Sequence, residues 1–427
     1  MFNYLRKINK FLILLFLFLL PWQTRWIYGP ADLNGAYWEY GTLSLYGTEI
    51  LMWITILLFS LDRFARKEFW KKITNKESFK MRWPRLVATV AILAYFSFLI
   101  WHSLNWEISY QFVLRLLGVF CFFVIIVNVG EAKKILVALW LSGLVQGFFA
   151  LWQFFSQHVG ANKWLGLTEQ NARQLGASVI EFGDERWLRA YGSFGWPNAL
   201  GIYLAGILMI GLWLYFISKN YKQKLLIILG QLIILSGLIL SFSRGAWIAA
   251  VLGIVILFFV SKQNKLEIVK HVIYYTLIVS LFFVALKPLF LTRVNTVERL
   301  EQKSMVERQT QISEWKNIFS KNWLFGVGPG AYTIALYNEN QNKPAWQYQP
   351  VHNVFLLMPV ELGAIGFILY VSFFVFFIIK IRKHNIFFPL VAVLVVAGLF
   401  DHWLWSMYTG LILWWIIFAI SFKKIQN

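Results

Sequence analysis

The chain is poor in charge. Only 14% of its residues are Asp, Glu, Lys or Arg, against 59% hydrophobic. A soluble domain of 427 residues has nowhere to hide so much apolar surface. Cysteine is nearly missing. Cys121 is the only one, and it sits within an apolar run. That rules out an intrachain disulfide and argues against a Cys-based metal site or a thiol nucleophile. There is no HExxH, no Walker loop and no Rossmann glycine pattern, so no nucleotide is expected. Short-period repeats and low-complexity linkers are missing too. A single integral domain over 1–427 is the simplest reading.

What the sequence does have is long apolar runs. A helix needs about 20 apolar residues to cross a bilayer. Such runs fall at roughly 11–28, 43–61, 86–104, 112–130, 133–155, 197–217, 224–242, 245–261, 268–290, 354–379, 386–400 and 405–421. The expected fold is all-α and polytopic, with about twelve transmembrane helices. The first run follows Arg6, Lys7 and Lys10, as in a signal peptide. Pro21, Trp22, Gln23 and Thr24 offer no small-residue cleavage site, so it reads as a retained helix. The last 36 residues of this pattern are too long for one span, and a hairpin turning near Asp401, His402 and Trp403 fits better.

The formal net charge of +20 would ordinarily point to nucleic acid or acidic lipid. Its distribution points elsewhere. With the N-terminus inside, the inner segments hold 25 of the 40 Lys and Arg and five of the 20 acids. The outer segments balance to zero. The whole excess is therefore a positive-inside signal, and no nucleic-acid partner is expected. Both termini are placed in the cytoplasm. His271 and His384 fall in inner basic segments, where solvated histidines are expected. Trp22, Trp26, Trp38, Trp403 and Trp405 sit near span ends, as an interfacial belt first and a sugar-stacking surface second.

Two outer loops are long, about 156–196 and 291–353, and short amphipathic helices are expected in them. Long structured loops on one face usually carry function. In the second, Ile312, Trp315, Ile318, Phe319 and Trp323 recur every three or four residues. This spacing predicts an amphipathic helix over 308–323 lying on the outer surface. Gly326, Gly328 and Gly330 stop it and permit a tight turn.

Several residues stand out on the outer side. Arg244, in Ser243-Arg244-Gly245, lies between two apolar runs. It is either snorkelling to headgroups or a bidentate phosphate ligand. Arg308 on the loop helix is either solvated or a second cation for the same anion. Arg189 closes the first loop just before Gly192-Ser193-Phe194-Gly195-Trp196-Pro197-Asn198, a fixed turn into a helix. His352 opens a span. It is either a structural N-terminal residue or a general base at the membrane edge. Glu49 and Arg115 are the charged residues a transport path would need. Residues alone leave two classes open: an enzyme holding a diphosphate lipid, and a transporter or flippase of lipid-linked sugars.

The ordered motifs over about 187–421 resemble the O-antigen ligase and polymerase superfamily of bacterial membrane glycosyltransferases. The Gly192–Asn198 turn carries Trp196 where the family more often has Asn. Ser243-Arg244-Gly245-Ala246, Arg308 with Trp315, and Phe325-Gly326-Val327-Gly328-Pro329-Gly330 follow in the family's order. His352-Asn353, Glu361-Leu362-Gly363 and Asp401-His402-Trp403 complete it. The first half of the chain matches only in hydropathy. The resemblance implies a multi-pass protein of the bacterial cytoplasmic membrane that needs no cofactor and no metal. It implies transfer of an undecaprenyl-diphosphate-linked glycan, on the outer face, to the hydroxyl of a glycan, lipid or protein. Polymerisation of lipid-linked repeat units is the alternative within the family. It assigns His352 as base and Arg244 and Arg308 as diphosphate ligands, with Arg189 as a further candidate. Arg189, Asn198, Glu361, Asp401 and His402 follow as substrate-binding residues.

Overall fold

A computed structural model describes residues 2–65, 76–261, 263–295, 298–381 and 387–421. His384, the basic stretch 66–75 and Lys423–Lys424 lie outside the described residues. Most apolar runs of the sequence fall on helices, though the run at 11–28 ends in a strand and that at 43–61 begins in one. Among the described residues six helices are long and apolar enough to cross a membrane. The chain begins with α1 (Phe2–Leu19). A hairpin of β1 (Arg25–Gly29) and β2 (Leu43–Tyr46) leads into α2 (Gly47–Phe64). Then come α3 (Lys76–His102), α4 (Trp106–Val129) and α5 (Ala132–Ser156).

At the centre is α6 (Pro197–Ile217). Pro197 starts it, where a missing N–H costs nothing. Of the span counted across it, 89% is buried by other helices. Its neighbours α7 (Tyr221–Leu240) and α8 (Arg244–Val260) approach closely through small residues. A Cβ on Gly201 would lie 2.8 Å from Ser241 Oγ and 3.0 Å from the Ala246 Cβ. In lipid, where hydrophobic burial adds little between helices, such close packing holds a bundle together. Gln231 crosses from α7 to α6 and donates to the Leu208 carbonyl at 2.8 Å. By contrast α9 (Lys265–Ala285) is only 17% buried, and its apolar surface suits lipid. His271 on α9 is not solvated as the charge pattern suggested. It is 1% exposed, its ring 4.4 Å from that of Tyr215, and its Nδ1 lies 2.8 Å from the Glu267 carbonyl. A basic segment marks a side of the membrane but not which residues of its helix face the bundle.

The outer segments differ from each other. The first contains no helix between 157 and 196. It folds as β3 (Val179–Phe182) and β4 (Glu185–Leu188), paired around Gly183-Asp184. Gly183 has φ +57°, the left-handed first position of a two-residue hairpin turn. The expected short helices are therefore replaced there by hairpins, for which alternation, not a 3.6-residue period, is the signal. The second holds α10 (Lys287–Asn295), the 24-residue α11 (Arg299–Asn322) and α12 (Tyr332–Glu339). The helix expected at 308–323 thus exists but starts nine residues earlier. On it Trp315 stacks on Phe319, centroids 5.1 Å apart, and donates from Nε1 to the Leu356 carbonyl at 2.7 Å. The last elements are α13 (Val354–Ile381), α14 (Phe388–Gly398), the single turn α15 (Trp403–Ser406) and α16 (Tyr408–Ser421). Asp401 and His402 lie at the junction after α14.

Candidate active site

The glycine turn after α11 is locked to the middle of α13. Gly363 breaks α13 with φ +68° and ψ 171°. The backbone groups freed by the break pair with the turn: Val327 N–H with Val360 O at 2.9 Å, Gly328 N–H with Glu361 O at 3.1 Å, and Ala364 N–H with Trp323 O at 2.8 Å. Irregular backbone in a membrane bundle survives only with such partners. Glu361 completes the lock, accepting from Gly330 N–H at 2.9 Å and Trp405 Nε1–H at 2.7 Å. This lock sets the start of α13, and so His352, against α11.

His352 meets Gln311 of α11 twice. Its backbone N–H points at Gln311 Oε1 at 3.3 Å, and its Nδ1 lies 2.9 Å from the same atom. A backbone N–H only donates, so the amide presents its oxygen. Nδ1 must then carry a proton and donate it, which leaves Nε2 with its lone pair. Burial holds the imidazole below its usual range, with Arg308 acting the same way and Asp401 opposing. At neutral pH it is therefore unprotonated. The His402 ring stands 5.1 Å from the His352 ring at 69°. Burial lowers His402 to about 4 against the pull of Asp401. His402 Nδ1 contacts Ser406 Oγ at 2.6 Å.

Behind the histidines runs a chain of polar contacts. Arg189, 9% exposed, donates through Nε to the Ser241 carbonyl at 2.8 Å and through Nη2 to Asn198 Oδ1 at 2.7 Å. Asn198 in turn donates to Asp401 Oδ2 at 3.1 Å, and Asp401 Oδ1 accepts the Trp403 N–H at 2.9 Å. Burial raises the Asp401 carboxyl, but His402, His352 and these donors hold it below the usual carboxylate range.

Further cations gather within electrostatic reach of Arg189. Arg244 is the first residue of α8. Its Nη2 is 2.9 Å from Glu301 Oε2 of α11, and its Nη1 donates to the Arg293 carbonyl at 2.9 Å. Arg293 also bridges Glu301, and donates through Nη2 to the Phe242 carbonyl at 2.8 Å. Phe242 has φ +46°, which turns the chain sharply between α7 and α8. Arg308 lies two turns from Glu301 on α11, exposed, in the electrostatic reach of Arg244 and Asp401.

Of the eight residues singled out from the sequence, Arg189, Asn198, Asp401, His402 and His352 form one connected group. Arg244 and Arg308 flank it. No hydrogen bond among the described residues joins Glu361 to the other seven. Sequence reasoning missed Gln311, Arg293 and Glu301. Glutamine carries no motif signal, and an Arg and a Glu in a polar loop read as solvent-facing. Glu49 and Arg115, weighed as a transport path, pair with each other at 3.2 Å. Arg115 also lies over Tyr46 and Tyr408.

No curated protein matches the chain. Residues 229–371 match the family model described as O-antigen ligase. That stretch contains Arg244, Arg293, Glu301, Arg308, Gln311, His352 and Glu361, and over it the chain is similar to O-antigen ligases.

Proposed function

We propose that the chain is a membrane glycosyltransferase of the ligase type. It transfers a glycan from undecaprenyl diphosphate to an acceptor hydroxyl on the outer face of the cytoplasmic membrane. One observation carries this: Gln311 holds the half-buried His352 through Nδ1 and leaves its Nε2 lone pair free, with Arg308 in electrostatic reach. A hydroxyl is a poor nucleophile until its proton leaves. His352 Nε2 takes that proton as the oxygen forms its bond to the anomeric carbon. The bond from that carbon to the diphosphate oxygen breaks, and the electron pair leaves on undecaprenyl diphosphate. Arg244 and Arg308 meet the charge that develops there, where preorganised donors are worth most. Arg189 is buried with two of its donors on Ser241 and Asn198, and acts as a positioning residue for Asp401. Asp401 orients the imidazole pair and stabilises the imidazolium formed at His352.

The test is transfer in membrane vesicles charged with lipid-linked donor. His352→Ala loses transfer by about 10²–10⁴-fold while the protein still inserts and still binds donor. Near-normal turnover by that variant removes His352 as the base.

A further inference from the structure

Next to His352 lies a cavity that the chemistry above does not use. Its volume is about 510 Å³, within the ~300–1,000 Å³ typical of ligand sites. One wall is α11 and the other is the stretch around the 3₁₀ turn Ala345–Gln347. The two sides of α11 are different in kind. Glu301, Arg308 and Trp315 are spaced by seven residues, two helical turns, and share one face. Lys303, Thr310 and Glu314 lie on another face and line the cavity. Gln311 stands between the two faces. It lines the cavity and also holds the His352 imidazole. The base therefore sits where the arginine face and the cavity meet, as a reaction between two separately bound substrates requires.

The cavity's chemistry is specific. Its cations are all matched: Arg299 with Glu181 at 2.8 Å, Lys303 with Glu307 at 3.8 Å, and Lys343 with Glu314. An anion would have to displace a carboxylate to bind. What remains is amide and hydroxyl hydrogen bonding from Gln311, Gln347, Gln349 and Thr310 around the indole of Trp346. Trp346 is 53% exposed, with Lys303 Nζ 4.8 Å from its ring. Amides that donate and accept beside an open indole suit the hydroxyls and C–H faces of a sugar.

We infer that this cavity is the acceptor subsite and that it takes an uncharged oligosaccharide, whose reacting hydroxyl extends past Gln311 to the free Nε2 of His352. The inference rests on the reading of the chain as a glycan transferase. The diphosphate of the donor stays on the arginine face.

The experiment uses the full chain with Cys121→Ser in native membrane vesicles that contain both substrates. Thr310→Cys places a thiol in the cavity. Leu175→Cys, 93% exposed on the loop between 157 and 196 and outside the cavity, is the control. Both are treated with a bulky maleimide. Labelled Thr310→Cys is expected to lose transfer at least about tenfold while retaining its lipid-diphosphate donor, and labelled Leu175→Cys to transfer normally. In parallel, Trp346→Ala raises the acceptor concentration for half-maximal transfer about tenfold, ~1.4 kcal/mol, with donor dependence unchanged. Trp346→Phe restores most of it. Normal transfer by labelled Thr310→Cys overturns the inference. So does loss of bound donor on labelling, which would assign the cavity to the donor glycan. Failure of the functional reading shows differently: the unlabelled chain then transfers no glycan at all, and the acceptor assignment falls with it.

Discussion

The contact between Gln311 and His352 governs how this site should respond to pH. A base must be unprotonated to act. Burial lowers the His352 pKa, so kcat/KM should be flat through neutrality and fall only below the usual imidazole value of about 6.5. Gln311→Glu puts a carboxylate on the Nδ1 proton. It stabilises the imidazolium, raises that pKa, and should move the acid limb to higher pH. The pH profile of kcat/KM in vesicles reads this directly, and an unmoved limb would mean that Gln311 does not set the tautomer. Arg244 should behave in another way. Its charge faces the diphosphate in both ground and transition states, so Arg244→Ala should weaken donor binding as well as rate. Arg244→Lys should recover part of it, since ammonium keeps the charge but not the bidentate fork. Unchanged donor binding in Arg244→Ala would shift the phosphate role to Arg308. The histidine and the arginines were legible in the sequence because an ionisable residue at a membrane edge needs a reason. Gln311 was not, because a glutamine on a polar helix needs none. Arg189 was visible as a residue but not in its hydrogen bonds. Only the fold shows that its donors end on Ser241 and Asn198.

At the scale of elements, the break in α13 and the glycine turn after α11 form one joint. The sequence marks both halves, Gly326 to Gly330 and Glu361 to Gly363, yet nothing in either says that they touch. Their pairing is a long-range contact, which periodicity cannot report. The joint makes a sharp prediction. A Cβ on Gly363 would lie 2.2 Å from the Leu324 carbonyl oxygen, at φ +68°. Strain of this kind costs about 1–3 kcal/mol before the clash is counted. Gly363→Ala should lower the melting temperature of the detergent-solubilised protein and reduce transfer, because His352 shifts against Gln311. A variant with wild-type melting would show that the backbone at Gly363 relaxes without cost. The helical period over 308–323 was legible and its tail back to Arg299 was not. That first part is tied down by specific ion pairs, Glu301 to Arg244 and Arg293, and not by an apolar stripe. The β3–β4 hairpin was missed for a related reason. Its strands are four residues each, and a period of two over so short a run is lost among neighbouring polar residues.

For the whole molecule, the arrangement imposes a condition on topology. Arg189, Arg244, Arg308, His352 and Asp401 come from segments spread over about half the chain, and they meet at one end of the bundle. That end must face the side where lipid-linked glycans are presented. The charge count of the sequence predicts that it faces outside, since the loops read as inner carry the excess of Lys and Arg. Two positions test this independently of activity. A reporter at residue 221, at the start of α7, should read cytoplasmic. One at residue 335, in α12 and between Arg308 and His352 in the chain, should read external. The two sites are separated by α7, α8 and α9, an odd number of crossings, so they must lie on opposite sides if all three span. Membranes with the same reading at both positions would mean that one of these helices does not cross. A cytoplasmic reading at 335 would put His352 and its arginines on the wrong side for an outer-face donor, and the proposed chemistry would fail whatever the individual variants show.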